Sequence, residues 1–329
     1  MQRDRLRRRE FISLIGGAVA WPLAARAQQP AMPVIGLLYA GEAQARVLAP
    51  LRQGLSENGY IEGDNIKIEY RWAEGRYDRL PRMAADLVRR RVTVIVAIST
   101  PAALAAKAAT PVIPIMFQTG GDPIKLGLVN SLNRPSGNIT GATQLNEEVA
   151  PKRLELLHEL LPTASVIALL VNPTNPALAE TTTRTLRAAA QTLGLELHVF
   201  NASTERDFDT AFASLIQLRA GGLVIGPDPF FTSRSKLLAT QALQHSVPVV
   251  FEYREFVAAG GLMSYGGGSS DTYRLAGVYA ARILKGEKPS ELPVQQGTQV
   301  ELFLNLKTAK ALGLTFPITL LGRADEVIE

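Results

Sequence analysis

The sequence predicts an α/β protein of two doubly wound parallel-sheet lobes, and three observations support this class. Short apolar runs rich in β-branched residues are mostly continuous rather than alternating, which indicates strands buried on both faces of a parallel sheet. Amphipathic, alanine- and arginine-rich stretches with helical spacing separate these runs. The pattern occurs in two successive series over 329 residues, a length that suits two domains of about 150 residues each. Alternating strands and helices predict right-handed βαβ units.

The first series ends at a turn cluster at residues 133–138, after which a short strand is predicted at 139–143. Its predicted strands are 34–39, 66–72, 92–98 and 113–117, and its predicted helices are 46–58, 80–90 and 102–108. In helix 80–90 the apolar side chains at 80, 83, 84, 87 and 88 share one face. The amphipathic pattern therefore favours helices that pack against a sheet.

The second series begins with a predicted helix at 152–161. Its predicted strands are 166–171, 196–200, 223–225 and 249–251, and its other predicted helices are 178–193, 208–218 and 233–244. Gly194 is well placed as a helix C-cap. Helix 273–284 and strand 301–305 follow the completed series, and spacing alone leaves open whether the chain returns to the first lobe there.

Residues 1–27 predict a cleaved export signal of the twin-arginine type. Arg8-Arg9 stands directly before x-Phe-Ile, an apolar run at 13–23 follows, and Ala25-Arg26-Ala27 has the form of a cleavage site. The apolar run is shorter than the ~20 residues that span a bilayer. An ordinary, arginine-rich secretory signal is the alternative. Either route predicts a mature protein that begins near Gln28 and is soluble in the periplasm.

The positive charge of the chain belongs mostly to this signal. The chain has 35 Lys and Arg against 30 Asp and Glu, of which residues 1–27 hold six and two. Subtracting these leaves 29 basic and 28 acidic residues, and no basic block among them. The composition therefore argues against a nucleic-acid partner.

Metal and catalytic signatures are missing from the sequence. The chain has no Cys, and its three His residues are isolated, so a zinc or redox-metal site is not expected. No G-x-x-x-x-G-K-[ST] phosphate loop, G-x-G-x-x-G after the first strand, or G-x-S-x-G nucleophile elbow occurs. We therefore expect a ligand-binding cleft with no cofactor and no enzymatic chemistry.

Ligands of such sheets bind beyond the carboxyl ends of the strands, so the strand-end loops supply the candidate residues. In the first lobe, Ser99 and Thr100 precede Pro101 at a helix start, where free N–H groups suit a carboxylate. A capped helix without a ligand is the equal alternative. Gln118 and Thr119 follow the fourth strand and precede a Gly-Gly turn, where the backbone can approach a ligand closely.

In the second lobe, Asn172 follows a strand end and Asp228 follows another in a Gly-Pro-Asp-Pro turn. Glu252 and Arg254 form a charged cluster after the strand at 249–251. Asp228 or Glu252 would suit a ligand amine, and Arg254 a carboxylate. A tight turn and a solvated helix start remain the alternatives for these positions. Tyr265 lies in a glycine-rich stretch that suits a hinge between lobes.

Several aromatic residues stand near strand ends and suit an aromatic or branched ligand. They are Tyr39, Phe117, Phe230 and Tyr265, with Phe231 beside the third. Packing in the core is the alternative role for each of them.

Motifs along nearly the whole chain after the signal resemble one family. They are GGDP at 120–123, GLV at 127–129, NRPSGNITG at 133–141, NP at 172–173, GGLMSY at 260–265, ILKG at 283–286, LPV at 292–294 and RADEVI at 323–328. With these motifs the chain resembles the bacterial ABC-transporter substrate-binding proteins of the tryptophan-binding (TrpX-like) group.

The resemblance implies a type I periplasmic-binding-protein fold, with two lobes joined by hinge strands and three crossovers. The expected division is a signal at 1–27, lobe 1 at 28–147 plus about 266–298, and lobe 2 at 148–265 plus about 299–329. The lobes would close on one small ligand, an amino acid or small carboxylate, and deliver it to an ABC permease and ATPase in the inner membrane. No lipoprotein cysteine is present, which favours a freely soluble protein.

The resemblance also suggests roles for particular residues. Hydroxyl groups at the position of Ser99 and Thr100 hold the ligand carboxylate in related proteins, and an acid from the second lobe, here Asp228 or Glu252, meets the amine. Two other functions stay open: an exported sensor that presents its ligand to a membrane receptor, and an exported enzyme.

Overall fold

In a computed structural model, which describes residues 32–144, 146–297 and 299–329, the chain forms two mostly parallel β-sheets flanked by helices. The strands are β1 (Val34–Tyr39), β2 (Lys67–Trp72), β3 (Val94–Ile98), β4 (Ile115–Thr119), β5 (Ile139–Thr143), β6 (Val166–Val171), β7 (Glu196–Asn201), β8 (Gly222–Ile225), β9 (Val249–Phe251), β10 (Met263–Gly267), β11 (Gln295–Gln296), β12 (Val300–Asn305) and β13 (Glu326–Ile328). The helices are α1 (Ala45–Ser56), α2 (Leu80–Arg89), α3 (Thr100–Ala109), α4 (Ala150–Leu160), α5 (Pro176–Leu193), α6 (Glu205–Leu218), α7 (Pro229–Ser233), α8 (Ser235–Gln244), α9 (Arg254–Ala258), α10 (Ser269–Leu284), α11 (Leu306–Ala311) and α12 (Ile318–Leu321).

The first sheet has the order β11-β5-β4-β3-β1-β2 and the second the order β13-β12-β10-β9-β8-β6-β7. Every pairing in the first sheet is parallel, and in the second sheet only β10 and β12 run antiparallel. The predicted class of two doubly wound parallel sheets is therefore confirmed.

Hydrophobic clusters cover both faces of each sheet, as the continuous apolar runs predicted. In β1, Ile35 and Leu37 belong to one buried cluster and Leu38 to the cluster on the opposite face. In β6, Leu169 and Leu170 divide in the same way between the two clusters of the second sheet. The residues of these two strands are therefore buried on either face, apart from the half-buried first residue of each.

The chain crosses three times between the sheets. It leaves the first sheet after β5, returns between β10 and α10, and crosses again between β11 and β12. Helix α10 packs against α1 so closely that a Cβ on Gly54 would lie 2.0 Å from the carbonyl oxygen of Arg274, and one on Gly277 2.1 Å from that of Leu51. This contact places α10 beside the first sheet. The chain therefore returns to the first lobe here, a point that spacing alone left open.

Local chemistry explains where the elements differ from the predicted ones. Strand β4 begins two residues later than predicted because Pro114 has no N–H for the ladder. Gln118 and Thr119 are therefore the last residues of the strand rather than part of the following loop. The predicted helix 233–244 corresponds to α8, which begins two residues later than predicted, and a separate short helix, α7, precedes it. Gly194 caps α5 in the left-handed conformation with φ 69°, as predicted.

Candidate functional site

A cavity lies between the two sheets at the carboxyl ends of their strands, where open α/β sheets bind ligands. The space between its lining atoms, including the part that is open to solvent, is about 390 Å³. The lining residues are Tyr39, Arg46, Ser99, Thr100, Gln118, Gly120, Leu178, Pro227, Asp228, Pro229, Thr232, Glu252, Tyr253 and Tyr273. Both sheets and their helices contribute to the lining, so the cavity depends on the arrangement of the two lobes.

The cavity brings together six of the nine residues that the sequence predicts for binding. These six are Tyr39, Ser99, Thr100, Gln118, Asp228 and Glu252. Thr119 and Asn172 lie behind the lining and contact residues in it. Tyr265 is outside the lining: the alternation of side chains along β10 directs it, with Met263, to a core cluster of the second sheet.

The start of α3 presents polar groups to the cavity from the first lobe. Ser99 precedes the helix with φ 91°, a conformation that few residues other than glycine adopt, and its side chain makes no capping hydrogen bond. Its Oγ is buried without a hydrogen-bond partner among the described residues. Thr100 Oγ1 lies 2.5 Å from Thr119 Oγ1, which also accepts from the amide of Gly121 at 3.2 Å. Ser99 is therefore strained and free to bind, whereas Thr119 fixes the rotamer of Thr100.

Asp228 lies opposite, before the short helix α7, and its carboxylate accepts four hydrogen bonds. Its Oδ1 accepts from Tyr77 Oη at 2.7 Å, from Asn172 Nδ2 at 2.9 Å and from the Phe230 amide at 2.9 Å. Its Oδ2 accepts from Asn175 Nδ2 at 2.9 Å. Burial raises the pKa of the Asp228 carboxyl, and the four hydrogen bonds act in the opposite direction. Asp228 thus caps α7 and also faces the cavity, so both roles that its sequence position suggested are compatible.

Glu252 follows β9 and has a less complete set of partners. Its Oε1 accepts from Thr232 Oγ1 at 3.2 Å, and its Oε2 is buried without a hydrogen-bond partner in the described part of the chain. Burial raises the pKa of Glu252 to about 7, although the charge of Arg153 lowers it. Of the two acids that the sequence left open for a ligand amine, Glu252 is the one with an unused oxygen.

Aromatic side chains form the apolar wall of the cavity. Tyr39, Tyr253 and Tyr273 are buried at its edge, and burial raises the pKa of each phenol, so all three stay protonated at neutral pH. The guanidinium of Arg46 lies 5.7 Å from the ring centroid of Tyr253. Its Nη1 has no hydrogen-bond partner within the described residues and lies 3.8 Å from Glu255 Oε1. The wall therefore combines flat apolar surfaces with one cationic group.

Sequence reasoning missed several residues of this site. Arg46 and Tyr273 belong to helices α1 and α10 and not to the strand ends, where the sequence signals lie. Tyr77 lies in a short 3-10 turn before α2 and reaches Asp228 across the cleft. Tyr253 stands between Glu252 and Arg254 of the predicted charged cluster, and its position two residues after the end of β9 is a signal that could have found it.

Other sequence candidates lie outside the cavity lining. Arg254 forms two hydrogen bonds with Glu326, at 2.7 and 2.5 Å, so it does not serve as a carboxylate ligand of this cavity. Phe117, Phe230 and Phe231 are core residues packed in the hydrophobic clusters. For these aromatic residues, packing is the role that the structure shows.

A comparison with family models matches residues 35–328 to the family described as ABC transporter substrate binding protein. The chain belongs to this family. The match extends over both sheets and includes all the residues that line the cavity.

Individual relatives support the same membership. A curated tyrosine-binding protein from Clostridioides difficile is 29% identical over 262 residues, which cover 80% of this chain and 75% of that protein. The structure of an ABC domain in complex with L-Trp from Streptococcus pneumonia is 26% identical, with a TM-score of 0.81 over 90% of this chain and 99% of that one. A conserved domain protein from Vibrio cholerae is 28% identical, with a TM-score of 0.82 over the same shares.

The arrangement of the lobes is more similar to that of the L-Trp complex than to that of an open relative. A ligand-free, open structure of a substrate-binding protein from Clostridium difficile is also 26% identical and covers the same shares, yet its TM-score is only 0.62. In this chain, Tyr77 bonds Asp228 across the cleft, and Arg234 Nη1 donates to Glu42 Oε1 at 2.6 Å. These contacts join residues of the two lobes, as ligand-bound binding proteins require.

None of the helices in residues 32–144, 146–297 and 299–329 is both long and apolar enough to cross a membrane. Within the same ranges, no group of three or more His, Cys, Asp or Glu side chains is placed to hold a metal ion.

Proposed function

We propose that this protein is the periplasmic solute-binding component of an ABC importer, that it closes on an aromatic amino acid, and that it delivers this ligand to a membrane permease and its ATPase. The proposed lobes are residues 28–147 plus about 266–298 and residues 148–265 plus about 299–329. The membership of the strands in two sheets, with crossings near these boundaries, supports the division.

The observation that carries the proposal is the pair of complementary polar ends of one cavity. On the side of the first lobe, Ser99 Oγ and the N-terminus of α3 offer donors and a positive dipole to a carboxylate. On the side of the second lobe, Glu252 Oε2 offers an unused acceptor beside the carboxylate of Asp228. A zwitterionic α-amino acid satisfies both ends, whereas a simple acid or a simple amine satisfies only one.

The aromatic wall indicates the kind of side chain that the ligand carries. The rings of Tyr39, Tyr253 and Tyr273 bury well against another aromatic ring, because aromatic pairs gain about 0.5–1.5 kcal/mol beyond the burial of area. The relatives named for tyrosine binding and solved with L-Trp bind ligands of this class. We therefore propose L-tyrosine and L-tryptophan as the first ligands to test.

Thermal unfolding of residues 28–329 against a panel of ligands tests this function. Refolded protein, free of carried-over ligand, would be heated with L-tyrosine, L-tryptophan, L-leucine, L-lysine and 3-phenylpropionate. A ligand that binds only the folded form stabilises it by about 2.7 kcal/mol at a hundredfold excess over Kd. We expect the aromatic amino acids to raise the midpoint and 3-phenylpropionate to have little effect, and no shift with any of the five would contradict the proposal.

The export route is a separate part of the proposal, because residues 1–27 lie outside the described residues. Replacing Arg8 and Arg9 together by lysine keeps the charge but removes the twin-arginine motif. We expect the protein to accumulate in the cytoplasm, as measured by cell fractionation and the size of the chain. Unchanged export would instead indicate the ordinary secretory route.

A further inference from the structure

Arg153 of helix α4 is fully buried, and most of the N–H donors of its guanidinium group are unused. Its Nε donates to the backbone carbonyl of Tyr265 at 2.6 Å. Its Nη1 and Nη2 are buried and have no hydrogen-bond partner among the described residues. A buried guanidinium without an anion nearby is strongly unfavourable, so a counter-charge is needed.

Helix α4 packs against β9, and Glu252 directly follows the last residue of that strand, so Glu252 is the acid placed to supply this counter-charge. Among the neighbours of Arg153, Glu252 makes the largest favourable electrostatic contribution to its charge, and Arg153 makes the largest such contribution to the charge of Glu252. The attraction is one of charge rather than a direct hydrogen bond, since neither Nη atom nor Glu252 Oε2 has a hydrogen-bond partner in the described part of the chain. Glu252 lines the cavity and Arg153 does not, so the arginine acts on a ligand only through the glutamate.

The other ionisable groups around Glu252 cannot replace this effect. The groups that face it, besides Arg153, are Arg46 from α1, Asp228 from the turn before α7, and the phenols of Tyr39, Tyr253 and Tyr273. Arg46 acts in the same direction as Arg153 but contributes less, and Asp228 opposes both. The phenols are neutral at physiological pH.

We propose that Arg153 is a positioning residue that determines specificity: its buried charge keeps Glu252 anionic, so the cavity prefers a ligand with an ammonium group over the same ligand without one. This inference rests on the proposed function and assigns a role to a residue that never touches the ligand. An arginine that merely supports the carbonyl of Tyr265 would affect stability but not the discrimination between two such ligands.

The test compares L-tyrosine with its desamino analogue, 3-(4-hydroxyphenyl)propionate, by calorimetric titration between pH 5.5 and 8.5. We expect the wild type to prefer L-tyrosine at pH 8 and to lose this preference below about pH 7, where Glu252 takes up a proton. In Arg153→Gln, the amide still has a donor for the Tyr265 carbonyl. The pH at which the preference for L-tyrosine is lost should rise by about one unit in this variant. L-Tyrosine binding at pH 7 should weaken about fivefold, because the ionised fraction of Glu252 falls from about one half to about one tenth, with little change for the analogue.

Matched variants separate charge from structure. Arg153→Lys keeps the charge and should restore the preference, Glu252→Gln should abolish it at every pH, and the exposed Arg82→Gln should behave as wild type. If Arg153→Gln does not fold, Arg153→Met is a second neutral variant of similar length. A parallel loss of affinity for both ligands in a neutral variant, with the wild-type pH profile, would overturn the inference. Failure of the wild type to bind L-tyrosine or L-tryptophan would instead overturn the proposed function on which it rests.

Discussion

The phenol of Tyr77 donates a 2.7 Å hydrogen bond to Oδ1 of Asp228, although the two residues belong to different lobes and lie 151 positions apart in the chain. The same hydroxyl accepts from the amide of Phe230 at 3.2 Å. The bond can form only when the cleft is closed, and it involves a residue that lines the cavity. It therefore ties lobe closure to the group that is proposed to face the ligand.

Removal of this hydroxyl should weaken ligand binding. We expect Tyr77→Phe to raise the Kd for the aromatic amino acid ligand by about tenfold, because a hydrogen bond to a charged group contributes about 1.5–3 kcal/mol and is made only in the closed form. Tyr70→Phe is the matched control, since Tyr70 bonds Glu62 within the first lobe at 2.8 Å. Calorimetric titration measures both variants, and equal affinities for Tyr77→Phe and wild type would contradict the role of the contact.

The carboxylate of Asp228 should matter for stability as well as for binding. Asp228→Ala leaves the amide groups of Asn172 and Asn175 without their buried acceptor, and each such loss costs about 1–3 kcal/mol. We expect the free energy of unfolding to fall by about 3 kcal/mol and the thermal shift with ligand to disappear. Denaturant titration checks this against Glu180→Ala, an exposed acid of α5 in the same lobe. A variant as stable as wild type would mean that these donors find other partners.

Ser99 should show the opposite balance between stability and binding. Its Oγ has no hydrogen-bond partner in the part of the chain that the structure describes, so Ser99→Ala should leave the ligand-free stability within about 0.5 kcal/mol of wild type while it weakens binding. Ser99→Gly should weaken binding similarly but stabilise the protein by about 1 kcal/mol, because φ 91° is strained for serine and not for glycine. Calorimetry and denaturant unfolding measure the two quantities separately. A loss of stability without a loss of affinity in Ser99→Ala would assign the residue a purely structural role.

Glu147, in the first crossing between the sheets, should make the stability depend on pH. Burial raises the pKa of Glu147 to about 7, with Lys125 acting against it. Because the folded pKa is above the unfolded one, this contribution to stability is complete below about pH 4.5 and is lost as the pH rises through 7.

Glu147→Gln removes this titration, so the stability gained over wild type should increase from pH 5 to pH 8. We expect the gain to reach about 1–2 kcal/mol, after allowance for partial solvent screening. Unfolding in denaturant at several pH values measures it, with the exposed neighbour Glu148→Gln as the control. A gain that does not change with pH would show that Glu147 does not titrate in this range.

The fold could be predicted from the sequence because the signals for its strands and helices are local. Strand β1 has the predicted bounds, and the helix after β3 begins with the predicted Ser99-Thr100-Pro101 start. Apolar runs and helix-start residues act over a few positions, so the structure that they favour does not depend on distant parts of the chain. The error at β4 also has a local cause, since Pro114 interrupts an apolar run that otherwise extends from Val112.

Only part of the candidate site could be predicted from the sequence, and the reason is physical. Ser99, Asp228 and Glu252 were found because the carboxyl ends of parallel strands meet at one edge of a sheet. Tyr265 is instead the middle residue of β10, and the two-residue period of this strand turns it to the core. The position of a strand end in the sequence does not show which side of the sheet faces the second lobe.

The sequence by itself determined the two-sheet α/β class, the order of its elements and the strand-end residues that face a cleft, because periodicity and turn chemistry depend on near neighbours. Only the tertiary structure decided that Arg46 and Tyr273 complete the cavity, that Tyr77 reaches Asp228 and that Arg153 is fully buried. These relationships join residues far apart in the chain, and they depend on the packing of helices and on lobe closure. Local sequence carries no signal for such contacts, whose energies arise only when distant side chains share a low-dielectric space.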